Sequence, residues 1–489
     1  MALIEERPLG AVELGALEAR GVSVPAYDLD DVVVGHVHVG PGVFHRGHQA
    51  AYAERALANG HRHAAICAIS MHSPDVRTAL EAQDHLYTCV ERDADGSRAA
   101  IVGAIRQVLV AKDDPAAAVE RLTDPSVTVV TTTVTEAGYC CKPGARSLDR
   151  AHPGVRHDLH EPRLPSTMPG LLVAALARRR EHHLAPFAVV PCDNLTANGE
   201  LARGVLVGLA ASTDPDLARW IESSVPFCST MVDRMVPSIT DDTRRTSTSL
   251  TGLLDALPVA TEPFSQWVIE RHRAVDLRAW VSAGAEIVDD VTRHERLKLR
   301  VLNGTHSALA YLGLRAGHHT VDDALADHRV SSFVRAMLLD EILPTVDAPA
   351  GVDSQRYADT VLARFTNRTL RYATSKVATD GSLKLAERLL PVALDRLSHG
   401  SGIDGIATVI AAWMWCVVGP AAADLGVGDP LAPELVRAVG DHFDDPELIV
   451  DLLLVDLGVF GPEGRRGQLV EAVRRRALSV WSDEARGTS

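Results

Sequence analysis

The groups best suited to chemistry lie in one stretch, Glu295-Arg-Leu-Lys298-Leu-Arg-Val-Leu-Asn303-Gly-Thr-His306-Ser. The chain has five lysines, at positions 112, 142, 298, 376 and 384, so nearly all its basic charge is arginine. A lysine among Leu297, Leu299, Val301 and Leu302 needs a reason. On a helix turning about 100° per residue, Lys298, Glu295, His306 and Asn303 fall near about 0°, 60°, 80° and 140°. All four share one face. That face offers an amine whose pKa desolvation can lower, an amide that can hold an oxyanion, an imidazole and a carboxylate. Such groups suit proton transfer at an alcohol or carbonyl carbon. The plain alternative is an amphipathic helix whose polar side meets solvent.

A second constellation lies near the start. The β-rich run Val32-Val-Val-Gly-His-Val-His-Val39 ends in Gly40-Pro-Gly42-Val-Phe-His45-Arg46, and a helical pattern follows from Gln49 through Leu57. Strand, glycine turn and helix form the context in which a G-x-G loop takes a dinucleotide pyrophosphate. His45 stands where the usual fingerprint has its third glycine. The next β-like run ends at Ser70, where the adenine ribose would lie. It carries Met71-His72 rather than an acid there, and the nearest acid is Asp75, so NAD and NADP both stay open.

These residues must be held by a chain of 489 residues, long enough for two domains. An apolar fraction of 46% describes a soluble globular protein, and a net charge of −15 argues against nucleic acid or an anionic membrane as partner. No basic-then-apolar leader opens the sequence, and the most apolar run, residues 406–419, is shorter than the ~20 residues of a membrane helix. Seven cysteines without a Cys-x-x-Cys pair fit a reducing cytoplasm, and no metal site stands out.

Further strands are expected at residues 100–102, 127–134, 187–191 and 262–269, alternating with helices such as 170–180, which predicts a largely parallel α/β sheet. Asn194 and Asn198 follow a strand's C-terminal end, where open sheets place ligands; Asn198-Gly199 suits a turn, and Asn194 is the better site candidate. Asp233 and Arg234 sit between two prolines, and a buried pair fixing a loop is the plain reading. From about residue 296 helical patterns dominate. The expected architecture is an α/β Rossmann-like dinucleotide domain, residues 1–294, then a mainly α-helical substrate domain, residues 295–489.

Taken together the segments resemble the mannitol dehydrogenase family of polyol-specific long-chain dehydrogenases. The resemblance rests on Gly40-x-Gly42-x-Phe44-His45-Arg46-x-His48-Gln49-Ala50-x-Tyr52, Gln83-Asp84-x-Leu86-Tyr87-Thr88 and Thr135-Glu136-x-Gly138-Tyr139. It continues through Cys192-Asp-Asn-Leu-x-x-Asn-Gly199, Met231-Val-Asp-Arg234, Glu262-Pro-Phe-x-Gln-Trp267, the Lys298–Ser307 stretch and Asp380-Gly-Ser-x-Lys384.

The resemblance implies a cytoplasmic, zinc-free, NAD(P)-dependent enzyme, typically monomeric, acting on a small polyol or ketose. It makes Lys298 the general base, Asn194 and Asn303 the pair holding the alkoxide, His306 the orienting histidine and Glu295 a proton relay. It implies cofactor contacts at Gly40, Gly42, Val43, Phe44, Arg46, Ser70 and Asp233, and substrate contacts at Asp233, Lys376 and Lys384. Lys376 departs from the Gln or Arg expected there. D-mannitol to D-fructose with NAD is the leading reaction. Fructuronate reduction and arabinitol or sorbitol oxidation follow it, and a non-catalytic sugar or nucleotide sensor is the alternative of another class.

Overall fold

Strand β1 (Val34–Val39) shows why the first part of the chain folds around a sheet. Val37 and Val39 turn to one face, His36 and His38 to the other, and all four are buried. A strand buried on both faces belongs at the centre of a parallel sheet covered by helices. The computed structural model describes residues 7–142, 146–419 and 422–482. The first six residues, where a leader was sought, lie outside the described residues. The chain divides into two compact units, Met1–Thr292 and Arg293–Ser489.

In the first unit β1 is followed by β2 (Ala65–Ser70), β3 (Tyr87–Asp93), β4 (Gly96–Val102), β5 (Ile105–Val110), β6 (Val129–Thr132) and β7 (Ala188–Pro191). Then come β8 (Thr230–Asp233), β9 (Val259–Thr261), β10 (Gln266–Glu270) and β11 (Glu286–Val288). The main sheet runs β5-β2-β1-β6-β7, all parallel, with Val37 opposite both Cys67 and Val130. Its direction of winding reverses between β1 and β6, the topological switch point. Two small sheets, β11-β10-β8 and β4-β3-β9, lie beside it in sequence and join distant segments.

Helices Pro115–Thr123, Met168–Glu181 and Asn198–Ala210 cover the valine face of β1, packing Leu122, Leu172 and Leu206 on Val37, Ile69 and Val130. Helix Gln49–Ala58 covers the histidine face with Trp267 and Trp280. Caps start two of these helices: the Asp114 carboxylate accepts from Ala117 N at 2.9 Å, and the Thr167 hydroxyl from Gly170 N at 3.0 Å.

The expected strands are present, the one expected at 262–269 starting only at Gln266, and before β1 the segment Leu14–Ala19 is helical, with Leu9 and Leu17 buried against Leu86 and Ile101. The charged strand β3 had no local signal. Its Arg92 pairs with Asp242 at 2.7 Å, and its Glu91 accepts from Arg234 at 3.2 Å, partners far away in sequence.

Among its described residues the second unit is built of helices. Asp404–Val418 is buried on nearly every side, which accounts for its apolar run. No helix among the described residues is long and apolar enough to cross a membrane. The Glu341 carboxylate accepts from Gly405 N at 2.6 Å and Ile406 N at 2.9 Å, a negative charge on the orphan donors of that helix's first turn. Gly381–Arg388 and Leu390–Ser398 are separate helices, since Pro391 cannot continue the first.

The helix around Lys298 departs from the α geometry its sequence suggested. Thr292–Leu297 is α-helical, Lys298–Asn303 is a π-turn, and Gly304–Arg315 is α-helical again. In an α-helix positions five apart lie about 140° apart around the axis. The wider π-turn closes i→i+5 bonds and so narrows that angle, turning Lys298 and Asn303 towards the same side.

Candidate active site

In the first unit the loop after β1 lies at the switch point. Gly40 has φ +95°, and a Cβ there would meet the Thr133 carbonyl oxygen at 2.5 Å, so only glycine fits. Gly42 faces open space: its nearest neighbour to an added Cβ is the Gly40 oxygen at 3.9 Å. Val43 and Phe44 open the short helix Val43–Gly47, and both pack on the histidine-face core. Arg46 is buried and donates to the Leu257 carbonyl at 3.0 Å and, through Nε, to the Gly42 carbonyl at 3.4 Å. His45 fills the place of the missing third glycine because its ring stacks on His38, centroids 3.5 Å apart. Ser70 ends β2 with its carbonyl accepting from Ala111 N at 2.8 Å.

Beneath this loop runs a buried chain of hydrogen bonds whose proton positions are determined from one end. The Thr133 hydroxyl donates to the Gly40 carbonyl at 2.7 Å, so it must accept from His38 Nε2–H at 2.8 Å. Burial pushes His38 well below the usual imidazole range, so the ring is neutral and its Nδ1 accepts from the Thr131 hydroxyl at 2.7 Å. With that proton committed, Thr131 accepts from His36 Nε2–H at 2.6 Å. Burial also pushes His36 down to about 3. The His-Val-His pattern of β1 is the sequence signal for this chain, which motif reading passed over.

Asn194 is exposed just beyond β7. Its neighbour Asp193 is pushed up to about 6 by burial and accepts from the Tyr139 hydroxyl. Asn198 is a clamp: its side chain accepts from Thr230 N at 3.0 Å and donates to Thr230 O at 3.2 Å, holding the start of β8. Asp233 is buried at the end of β8. The ion partner of Arg234 is Glu91 rather than its neighbour Asp233, and its guanidinium also donates to Gly47 O at 2.7 Å and Glu262 O at 2.8 Å.

In the second unit Glu295, Lys298 and Asn303 are each only 8% exposed, so their shared face is not a solvated one. The His306 ring stacks on Phe365 at 4.8 Å and meets the Tyr372 edge at 5.5 Å. Its Nε2 is buried without a partner among the described residues. Burial, then the charges of Arg388, Lys384 and Arg364, push His306 down to about 3, so it works as a neutral imidazole.

The Asp380-Gly-Ser-x-Lys384 motif is explained by packing. A Cβ on Gly381 would lie 2.2 Å from the Tyr311 hydroxyl and 2.4 Å from Trp413 Cδ1, and the Ser382 hydroxyl donates to Asp429 at 2.7 Å. Those anchors aim Lys384, whose ammonium has only long contacts, 3.4 Å to Val377 O and Thr379 Oγ1 and 3.9 Å to Asp380. Burial lowers its pKa to about 8. Lys376 is exposed, without an ion pair among the described residues. Arg388, unremarked in the sequence, donates to the Ser307 hydroxyl beside His306 at 3.0 Å.

Sequence-family comparison matches residues 34–281 to the Mannitol dehydrogenase Rossmann domain and residues 290–475 to the Mannitol dehydrogenase C-terminal domain. Among curated relatives, the uncharacterized oxidoreductase YeiQ of Escherichia coli is 40% identical, covering 90% of this chain and 91% of its own. The D-mannonate oxidoreductase of Escherichia coli is 37% identical, over 80% of this chain and 82% of its own. The mannitol 2-dehydrogenase of Pseudomonas fluorescens, solved as a ternary complex with NAD and D-mannitol, superposes with TM-score 0.88. It is 32% identical and covers 98% of each chain. The two matched domains follow the division into two units, and with these relatives they show that the chain belongs to the mannitol dehydrogenase family.

Proposed function

We propose that this chain is an NAD-dependent oxidoreductase interconverting a secondary alcohol of a polyhydroxy substrate and the matching ketone, with Lys298 as general base. The observation that carries the reading is the burial of Lys298 and Asn303, each 8% exposed, at the two ends of one π-turn. An amine and an amide at one point are what an alcohol losing its proton requires.

The loop after β1 fits a dinucleotide. Gly42 leaves room for close approach, and the switch point is where such folds bind nucleotides. The bound nicotinamide supplies the hydride acceptor. Gly40, Gly42, Val43 and Phe44 form the loop that would hold the cofactor, with Ser70 and Asp233 at strand ends.

The Lys298 amine takes the hydroxyl proton as the carbon–hydrogen bond breaks. The Asn303 amide donates to the oxygen while it carries negative charge, worth roughly 3 kcal/mol by analogy with other oxyanion donors. On the motif correspondence Asn194 supplies a second amide, Glu295 passes the proton to solvent, and neutral His306 orients a substrate hydroxyl with its unpartnered Nε2. Lys384 serves the substrate; Lys376, exposed, is the weaker substrate contact of the two. In reduction the same groups act in reverse, and Lys298 returns the proton.

Two substrate pairs fit this chemistry. D-mannitol and D-fructose form the neutral pair, and D-mannonate and D-fructuronate form the acidic one. They differ in a terminal carboxylate. Lys298→Ala is expected to lose at least about a thousandfold in kcat while NADH titration shows unchanged affinity. Normal turnover in that variant overturns the reading.

A further inference from the structure

Arg388 differs from Arg300 and Arg315, two buried arginines of its unit. Arg300 pairs with Asp395 at 2.7 Å and donates to Thr345 O at 2.8 Å, and Arg315 donates to Val480 O at 2.9 Å and Ser482 O at 3.1 Å. Arg388 has one hydrogen bond, to Ser307, and among the described residues no carboxylate lies within 4.0 Å of it. A guanidinium carries five N–H donors in a planar fork. One neutral hydroxyl leaves most of that fork unused, although burial already pulls its pKa below the ordinary arginine value.

Lys384 lies one helical turn before it on Gly381–Arg388, with no ion pair shorter than the 3.9 Å to Asp380 among the described residues. Beside both is His306, neutral and with Nε2 unpartnered. Two half-buried cations next to an imidazole with a free ring nitrogen make a good receptor for an anion. A planar fork suits the two oxygens of a carboxylate.

We infer that Arg388, with Lys384, binds a carboxylate at one end of the substrate, so that the chain prefers sugar acids over neutral polyols. The inference rests on the Lys298 reading above and deepens it by naming the substrate class. In the reaction a keto acid accepts hydride from NADH at its carbonyl carbon and a proton from Lys298 at oxygen. The product is a hydroxy acid and NAD, and the carboxylate is unchanged.

The test measures NADH-dependent reduction of D-fructuronate, D-fructose and D-fructose 6-phosphate by the wild type, Arg388→Met and Arg388→Lys. Wild type is expected to favour fructuronate over fructose in kcat/KM by about a hundredfold or more, as sites built for a polar group reject analogues lacking it. Arg388→Met should erase most of that ratio through KM, and Arg388→Lys should restore part of it. A wild-type ratio near one, a ratio unchanged in Arg388→Met, or preference for the phosphate overturns the inference.

Binding is measured separately from turnover by the thermal shift with D-mannonate against D-mannitol. A shift with mannonate alone that Arg388→Met abolishes supports the carboxylate site even if no substrate is turned over, in which case the Lys298 reading fails instead. Equal shifts with the two ligands overturn the carboxylate site.

Discussion

Replacing Thr131 by valine tests the hydrogen-bonded chain under the Gly40 loop at its middle link. Valine matches threonine in shape, so the substitution removes a hydroxyl and little else. Two groups lose their partner: His36 Nε2–H, at 2.6 Å from that hydroxyl, and His38 Nδ1, at 2.7 Å. Both rings are buried and Thr131 is 0% exposed, so water cannot substitute without disturbing the sheet. A buried polar group left unpaired costs about 1–3 kcal/mol, so the pair should cost about 2–6 kcal/mol. The extra methyl returns less than about 1 kcal/mol of that.

By calorimetry the first unit should melt roughly 4–15 °C lower. Thr131→Ser keeps the hydroxyl, loses a methyl and should fall by about 1 kcal/mol. Because the chain ends on the Gly40 carbonyl, NADH affinity should weaken in the valine variant and hold in the serine one. A valine variant melting within about 2 °C of wild type, or a serine variant equally damaged, refutes the proton assignment.

Asn303→Ala should reduce kcat by about 100–1,000-fold with little change in KM, measured in steady-state kinetics, because the lost donor acts on charge present only in the transition state. Glu54→Gln tests the acid response of the first unit. Burial raises Glu54 to about 7 while it accepts from Tyr27 and Gly103 N, each at 2.8 Å. A carboxyl with a raised folded pKa stabilises below its unfolded value and loses that contribution as pH rises through about 7. Between pH 8 and 5 it therefore adds about 2–3 kcal/mol. The buried neutral His36 has the opposite sign: its contribution is full above about pH 6.5 and shrinks towards 3, by about 2 kcal/mol at pH 5. Glu54→Gln should then lose melting temperature more steeply than wild type from pH 8 to 5, and equal slopes refute the assignment.

Local patterns made much of this molecule legible. A lysine among leucines, a glycine turn after an apolar strand and the fading of β signals after about residue 296 each depend on neighbours in sequence. The parallel sheet and the helical second unit followed from those periodicities. What escaped depends on partners brought together from far away. Strand β3 carries charges that pair with Asp242 and Arg234, and His45 stands in a glycine's place because His38 stacks on it. The π-turn at Lys298 is likewise absent from the sequence pattern: a 3.6-residue period marks which side is apolar, while the extra residue per turn shows only once the backbone is built. Arg388 is one arginine among many in the sequence. Only the tertiary structure shows that it sits beside Ser307 and His306 with most of its donors unused, because a vacant hydrogen-bond fork is a property of surroundings and not of residue type.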